Sequence, residues 1–270
     1  MTTEAALAGG LVDTHAHLQE PGLAAGLDGL LARAREAGVA QVVVVGTTAA
    51  DSAEAVAIAG AHAGVFAAVG IQPNHSAEAT AGDWEQVVAL AGQPRVVALG
   101  ETGLDRYWNH APFDIQRAWF DRHLALAHER GLPVVIHCRD CEADIVEQLT
   151  RLGQPVRGVL HSFSGTWDQA QAFLELGLSL SFSGMVTFTT RKNDPLREVA
   201  ARVCLDRLLV ETDSPYLSPH PYRGEPNEPA RVALTARRIA ELRGLTPAEL
   251  ARATTANARR LFALPDDLTL

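Results

Sequence analysis

The chain has 270 residues, of which 47% are hydrophobic and 20% are charged, close to the averages of soluble globular proteins. Its net charge of -9 argues against a protein that coats long nucleic acid through a basic surface, but leaves small polyanionic substrates open. No apolar run approaches the roughly 20 residues that span a bilayer, and the start, MTTEAALAGG, lacks the features of a signal peptide. We therefore expect a cytoplasmic protein with no membrane association and no obligate protein partner.

Short apolar runs alternate with amphipathic stretches along the chain, and no linker marks a domain boundary. The predicted strands are Leu11–His15, Gln41–Gly46, Phe66–Ile71, Val96–Glu101, Leu132–His137, Gly158–His161, Leu178–Ser183 and Leu208–Asp213. These runs are rich in Val, Leu and Ile, which is typical of parallel strands buried on both faces. They recur about every 28 residues, the length of one strand and one helix. The sequence thus predicts the α/β class and a single-domain TIM-type (β/α)8 barrel over residues 1–270.

Two of the intervening helices have clear boundary signals. Apolar residues recur at helical spacing over Ile115–Arg130, and Gly131 follows as a typical helix end. Near the C-terminus, Thr246, Pro247 and Glu249 have the spacing of an N-cap, a first helical residue and a capping-box acid. This spacing predicts a final helix that extends to about residue 264.

Potential metal ligands lie at the C-terminal ends of five predicted strands, where TIM-barrel active sites are found. In the first strand, alternate residues share a face, so Asp13, His15 and His17 of DTHAH are predicted to project together. The other four strands end in one candidate each, namely Glu101 in GETGLD, His137 in PVVIHCRD, His161 in VLHSFSG and Asp213 in LLVETDSPYL.

These carboxylates and imidazoles would be poorly solvated at one barrel mouth without cations, so we expect a metal site. The ligands outnumber those of a single four-coordinate ion, which suggests two metal ions that share Glu101. Imidazole-rich ligation favours Zn or Mn. Phosphoryl chemistry would instead favour Mg or Mn.

The motifs DTHAHL, GETGLD, LPVVIHCRD, HSFSG and ETDSPYLSPHPYRGEPNEP together resemble the TatD family of metal-dependent deoxyribonucleases. The resemblance covers almost the whole chain, including ELARATTANARRLF near its end. It implies a barrel with divalent metal ions that hydrolyses phosphodiester bonds of DNA, with RNA as a further substrate, commonly from the 3′ end.

The resemblance also implies roles for individual residues. Asp213 with His15, His17 and Glu101 would hold one metal ion, and Glu101 with His137 and His161 the other. Asp213 would also act as the acid/base, and Glu101 would be essential for catalysis. One departure concerns Gln72 in GIQPNH, where the family usually has His. Gln cannot carry a proton, so activity or substrate range could differ, and His75 is a candidate substitute.

Several residues near the predicted mouth are candidate substrate contacts. Arg139 and Arg223 could bind phosphate, with a structural salt bridge and a rigid loop as the respective alternatives. Asn227 lies in the same loop as Arg223. Exposed aromatic rings can stack on bases of single-stranded nucleic acid, but can equally pack within loops. The aromatic candidates are Tyr107, Trp108 and Tyr216.

Other motifs receive structural interpretations. Cys138 and Cys141 form a CxxC that lacks a second pair, so we interpret it as coincidental rather than as a zinc site. We expect surface or packing roles for Trp84, Trp119, Trp167, His62, His123 and His128. No ligand partner is evident for His110 or His220.

Two other functions remain open. A barrel amidohydrolase or ester hydrolase, acting on a small amide or an aminoacyl ester, could use the same ligands. Many amidohydrolases, however, bridge their metals with a modified Lys on the fourth strand, where this chain has Glu101. A non-enzymatic metal-binding or partner-binding barrel would retain the ligands without turnover, and a metal-stimulated hydrolysis assay would distinguish it.

Overall fold

The computed structural model describes residues 10–270, so the signal-peptide expectation for the first nine residues lies outside the described part of the chain. The strands are β1 (Leu11–Ala16), β2 (Val39–Val45), β3 (Val65–Val69), β4 (Val96–Asp105), β5 (Val134–Arg139), β6 (Gly158–Leu160), β7 (Ser179–Phe182) and β8 (Leu208–Val210). Each strand pairs in parallel with the next, in the order β1 to β8.

Helices follow the strands around the sheet. They are α1 (Pro21–Ala24), α2 (Leu27–Glu36), α3 (Ala49–Ala61), α4 (Ala81–Leu90), α5 (Phe113–Arg130), α6 (Glu142–Arg151), α7 (Trp167–Glu175), α8 (Asp194–Arg202), α9 (Val232–Arg243) and α10 (Pro247–Phe262). Within residues 10–270, none of these helices combines the length and apolar character needed to cross a membrane.

The sheet curls so that its first and last strands meet. The Thr14 hydroxyl of β1 donates a hydrogen bond of 3.0 Å to the carbonyl of Val210 in β8. Just beyond the strand ends, Ala16 forms a parallel bridge with Ser214. These contacts nearly close the barrel, and the predicted TIM-type (β/α)8 fold is confirmed.

Apolar side chains fill both faces of the strands. Inside the barrel, Val43, Val135 and Leu209 belong to one buried cluster, which the end of α10 joins through Phe262. The residues between them face the surrounding helices, as Ile136 does in the larger cluster. Burying one such side chain stabilises the fold by about 1.5–3 kcal/mol, which explains why the strands are apolar throughout rather than alternating.

The chain's last residues cover the end of the barrel at which the strands begin. The buried Gln41 amide at the start of β2 donates to the carbonyls of Pro265 and Leu268 at 2.7 and 2.8 Å. The backbone N–H of Leu270 donates to the Ala40 carbonyl at 2.8 Å. The opposite end, where the strands finish, carries the predicted ligands.

The predicted helix boundaries agree with the structure to within two residues. Helix α10 begins with the expected capping box, in which Thr246 and Glu249 each bond the other's backbone N–H. Helix α5 starts at Phe113 rather than Ile115, directly after Pro112, and ends at Gly131 with φ of 64°. A proline just before a helix favours its start because its φ is already close to the helical value.

Two strands end more than two residues away from their predicted ends, and both differences matter for the site. Strand β8 ends at Val210, three residues before Asp213, whereas β4 continues past Glu101 to Asp105. Gly103 allows the continuation: its φ is +137°, and a Cβ there would overlap the His137 carbonyl oxygen. Only glycine combines this conformation with so close an approach, and it brings Asp105 opposite Arg139 of β5.

Candidate metal centre

Four donor atoms form a first group at the C-terminal mouth of the barrel. The Nε2 atoms of His15 and His17 lie 3.2 Å apart. Oε2 of Glu101 lies 3.5 and 3.8 Å from these two nitrogens, and Oδ1 of Asp213 lies 3.7 and 3.5 Å from them. Strand β1 carries His15, His17 directly follows that strand, β4 carries Glu101, and Asp213 lies three residues after the end of β8.

A second group uses the other oxygen of Glu101. Its Oε1 lies 2.8 Å from Nδ1 of His137 and 3.2 Å from Nε2 of His161. These two nitrogens are 3.4 Å apart. His137 belongs to β5 and His161 follows β6, so six residues from five strand ends converge, and each oxygen of Glu101 faces one group.

The donor spacing fits metal coordination. Bonds of about 2.0–2.1 Å from a tetrahedral ion place its ligands about 3.3–3.4 Å apart, close to the separations within the first group. Nδ1 of His15, Nδ1 of His161 and Oε2 of Glu211 are buried and have no hydrogen-bond partner among residues 10–270. Imidazoles and carboxylates converging in a buried mouth are a donor set that divalent transition metals prefer.

The electrostatics of both groups depend on the pairing of imidazoles with carboxylates. Burial raises the pKa of Glu101, but the neighbouring His161, His137 and His15 outweigh it and hold that pKa well below its usual range. Burial lowers the pKa of His17, but Asp213 and Glu101 raise it to about 9. The carboxylates therefore favour positive charge in their midst, whether protons on imidazoles or metal ions.

Hydrogen bonds behind the donors fix the orientation of two imidazoles. Nδ1 of His17 lies 2.8 Å from the Val45 carbonyl, which leaves Nε2 facing the first group. Nε2 of His137 lies 2.9 Å from Oδ2 of Asp105, which leaves Nδ1 facing Glu101. Such outer partners commonly set the tautomer and orientation of a metal-binding histidine.

The sequence reasoning missed two carboxylates that support the donors. Asp105 lies behind His137, and the fully buried Glu211 accepts a 2.7 Å hydrogen bond from the Ser162 backbone and lies 3.5 Å from Nδ1 of His161. Both residues stand inside motifs that were recognised, GETGLD and ETDSPYL. An acid two to four residues from a predicted ligand was therefore the available signal.

Asp13 does not join either group, contrary to the expectation that it projects with His15 and His17. Its carboxylate accepts hydrogen bonds from the backbone and hydroxyl of Thr212, at 2.8 and 2.6 Å. The pairing of β1 is irregular between Asp13 and Ala16, which breaks the simple alternation on which the expectation relied. Burial raises the pKa of Asp13 to about 8 despite these bonds. Asp13 thus ties β1 to the segment after β8.

An aromatic loop follows β4 at the rim of the mouth. Tyr107 and Trp108 are among the most exposed large hydrophobic residues of the described chain, at 54% and 46%. Their backbone N–H groups donate to Oδ1 of Asp105 at 2.8 and 2.9 Å. The guanidinium of Arg139 lies 3.7 Å above the Tyr107 ring, and within the described range 10–270 it does not form the salt bridge considered as its structural alternative.

The short turn after β3 places Gln72 and Asn74 at the rim. The Gln72 side-chain oxygen accepts from the Asn74 backbone at 2.8 Å and so caps the turn Pro73–His75. Nδ2 of Asn74 donates to Oδ2 of Asp105 at 3.0 Å, so Asn74, which the sequence reasoning passed over, contacts the support of His137. His75 is exposed and has no place in either donor group, which argues against it as a substitute for the family histidine.

The remaining substrate candidates lie in the loop after β8, where their environments differ. Arg223 is exposed, with its guanidinium 3.7 Å above the Phe188 ring. Asn227 is fully buried and donates to the carbonyls of Thr212 and Tyr216, so the expectation of a substrate contact there is wrong. Tyr216 is half exposed, and its ring lies 6.0 Å from that of His17.

The other aromatic and histidine residues lie away from the donor groups. Trp119 is buried and packs edge-to-face on Trp84. Trp167 packs at the edge of the large core cluster. His123 is fully buried, His128 is exposed, and His62 follows the last residue of α3. His110 stacks on Trp108, and His220 bonds Thr187 through its backbone.

Known proteins are similar to this chain in sequence and in fold. The family model described as TatD related DNase matches residues 12–263. The chain is 39% identical to the uncharacterized metal-dependent hydrolase YabD of Bacillus subtilis, over 94% of this chain and 99% of YabD. It is 37% identical to the 3'-5' ssDNA/RNA exonuclease TatD of Enterobacter lignolyticus, over 94% of this chain and 99% of that protein.

Among solved structures, the TatD homolog YJJV of Escherichia coli K12 superimposes with a TM-score of 0.89. Its sequence is 32% identical, and the match covers 94% of this chain and 98% of YJJV. Sequence and fold agree over nearly the whole length. The chain therefore belongs to the TatD related DNase family of metal-dependent hydrolases.

Proposed function

We propose that this protein is a two-metal phosphodiesterase that removes nucleotides from the 3′ end of single-stranded DNA, with RNA as a second substrate. The observation that carries the proposal is that the two carboxylate oxygens of Glu101 face separate donor groups. They lie 2.8–3.8 Å from the imidazole nitrogens of those groups. The name of the Enterobacter lignolyticus relative, an ssDNA/RNA exonuclease, supports the choice of substrate and direction.

We assign His15, His17, Asp213 and Oε2 of Glu101 to one divalent ion. His137, His161 and Oε1 of Glu101 are assigned to the second. Mn, Zn and Mg are the candidate ions, and the four imidazoles favour Mn or Zn over Mg. When bound, such ions supply positive charge to a phosphate and lower the pKa of water at the site.

Asp213 is the proposed acid/base. Burial raises its pKa, but the hydrogen bond to His17 and the charges of the surrounding imidazoles lower it below its ordinary value. Its carboxylate is therefore ionised at neutral pH and able to orient an attacking water and accept its proton. Glu101 contributes by contacting both donor groups and so fixing their positions relative to each other.

The rim residues are the proposed substrate contacts. Exposed rings at Tyr107 and Trp108 can stack on unpaired bases, which favours a single strand over a duplex. Arg139, held over the Tyr107 ring, and Arg223 are the proposed phosphate contacts. We place Gln72 beside them, where its neutral side chain would contact the substrate without transferring a proton.

Metal-free protein tested on end-labelled oligonucleotides would decide the activity. Single-stranded DNA, duplex DNA and RNA carrying a 5′ label should be compared with a small amide and an aminoacyl ester, with each ion restored in turn. We expect stepwise shortening of the single strands only when metal is present. Cleavage of the amide or ester without shortening of DNA would instead favour the amidohydrolase or ester-hydrolase alternative. Metal binding without any turnover would favour the non-enzymatic one.

Substitutions can distinguish the role of the shared carboxylate, Glu101, from the role of the rim residues. Glu101→Ala should remove essentially all activity together with bound metal, whereas Arg139→Ala should retain metal and lose activity only in part. Glu54→Ala, which removes an exposed carboxylate of α3, is the matched control and should behave as the unmodified protein. Normal metal content in Glu101→Ala would contradict the shared role of that residue.

A further inference from the structure

The two cysteines of the CxxC motif lie close together in the fold, where β5 ends and α6 begins. Cys138 is half-buried within the strand, and Cys141 is buried at the N-cap of α6. Their sulfur atoms lie 3.8 Å apart, and the Cys141 thiol also donates to the Leu104 carbonyl at 3.1 Å. The thiol pair therefore bridges β5, α6 and β4. The third cysteine, Cys204, is exposed on another part of the barrel.

The thiol pair adjoins the second donor group. Cys138 directly follows His137 in the chain and precedes Arg139. In the register of the two strands, Cys138 lies opposite Leu104, the neighbour of the Asp105 that supports His137. A movement of either sulfur would thus be transmitted to the histidine, to its supporting carboxylate, or to both.

A zinc site does not explain the pair. Structural zinc needs four donors, and the donor groupings found within residues 10–270 contain no cysteine. Two free thiols in contact, joined by a two-residue spacer, have instead the arrangement of dithiols that interconvert with disulfides.

We propose that Cys138 and Cys141 are a reversible oxidation site, whose disulfide weakens metal binding at the second donor group. With hydrogen peroxide as oxidant, the sulfur of one cysteine attacks a peroxide oxygen and gives up its thiol proton, the O–O bond breaks, and a sulfenic acid and one water form. The other sulfur then displaces hydroxide from the sulfenic acid, which leaves as a second water. Two thiols thus lose two protons and two electrons to one peroxide.

The geometry explains why the disulfide would affect the centre. A disulfide has an S–S distance of about 2.05 Å, so the sulfurs must approach by nearly half of their 3.8 Å separation. The hydrogen bond from Cys141 to the Leu104 carbonyl would be lost as well. Since β4 carries Asp105 and β5 carries His137, and neither residue contacts the first group, these shifts bear more directly on the second group than on the first.

Peroxide treatment of the full chain tests whether the disulfide forms. We expect the three free thiols to fall to one, peptides with Cys138 and Cys141 to become linked, and dithiothreitol to reverse both changes. C204S should form the same linkage, and C138S and C141S should form none. Retention of all three thiols, or linkage that involves Cys204, would overturn the proposal whatever the protein hydrolyses.

Calorimetric titration with Mn²⁺, before and after oxidation, tests the effect on the centre. We expect one of the two binding events to lose at least about 10-fold in affinity in the native chain and C204S, and no loss in peroxide-treated C138S. Unchanged affinity in the linked protein, or an equal loss in C138S, would overturn the switch. The Mn²⁺ titration rests on the proposed two-metal centre and DNA hydrolysis, measured in parallel, rests on the proposed activity, whereas formation of the disulfide rests on neither.

Discussion

The Asp105 carboxylate links the candidate metal centre to the rim of the barrel mouth. One of its oxygens accepts from His137 and Asn74, and the other accepts from the backbones of Tyr107 and Trp108. Burial raises the pKa of Asp105, but the hydrogen bonds from His137 and the Trp108 backbone lower it overall. An ionised carboxylate is therefore bonded to a proposed ligand and to a proposed substrate contact at once.

Replacement of Asp105 by Asn should weaken metal binding at the second group. Asn keeps the size of the side chain but removes its charge and one acceptor, so His137 loses its orientation, and a 10–100-fold loss of affinity is expected. Calorimetric titration with Mn²⁺ measures this. The control is Asp144→Asn on α6, which alters the ion pairs of Asp144 with Arg106 and Arg117. Equal affinity in both variants would show that His137 is positioned without Asp105.

The six proposed ligands could be predicted from the sequence because each lies at or just after the end of an apolar run. Parallel strands in a barrel bring such ends to one mouth, so the order of the runs was enough to bring Glu101 and His137 together. The prediction for Asp13 was wrong because its carboxylate binds Thr212, which is 199 residues away in the chain. No local pattern reports such a long-range hydrogen bond.

Among the strands, the sequence prediction was least complete for β4. The apolar run stops at Glu101, yet the strand continues because its polar residues pair with β5 through Gly103 and Asp105. Periodicity identifies where apolar burial ends, whereas a strand ends where pairing with its neighbour ends. Asp105 and the aromatic loop depend on this second property, which explains why their link to His137 escaped the sequence reasoning.

Gly103→Ala tests the continuation of β4. A Cβ at this position would overlap the His137 backbone and force a disfavoured φ, so we expect a lower Tm together with loss of metal affinity and activity. Gly131→Ala is the matched control, with φ of +64° but open space around a Cβ. It should cost about 1 kcal/mol of stability and leave metal affinity intact. Metal affinity that survives in Gly103→Ala would contradict the proposed coupling.

In the packing of the helices around the barrel, His123 joins α5 to the segment that follows β3. It lies fully buried in α5, where Nδ1 contacts the Trp119 carbonyl at 2.7 Å and Nε2 accepts from the Ile71 backbone at 3.0 Å. Burial lowers the pKa of His123 to about 4. The ring is therefore neutral in the folded protein at neutral pH, and it anchors the segment that precedes Gln72.

This neutral histidine makes stability depend on pH. Between the unfolded pKa of about 6.5 and the folded pKa of about 4, the unfolded chain binds the proton and the folded one does not, so acidification favours unfolding. The loss reaches on the order of 3 kcal/mol at pH 4. Urea midpoints of His123→Gln should fall less steeply from pH 7 to 4 than those of the unmodified protein. His128→Gln, on the exposed face of α5, is the control, and parallel curves for all three proteins would refute this role.

The covering of one barrel end by the last residues also determines how the molecule can be attached to a surface. The backbone of Leu270 is bonded to Ala40 at the start of β2, on the side of the barrel opposite to His15 and Glu101. A tether fused after Leu270 would therefore direct the mouth away from a bead or electrode and towards the bulk solution. Immobilised protein of this orientation should keep its rim free for long polymers, whereas random coupling through the many surface carboxylates would block a fraction of the molecules.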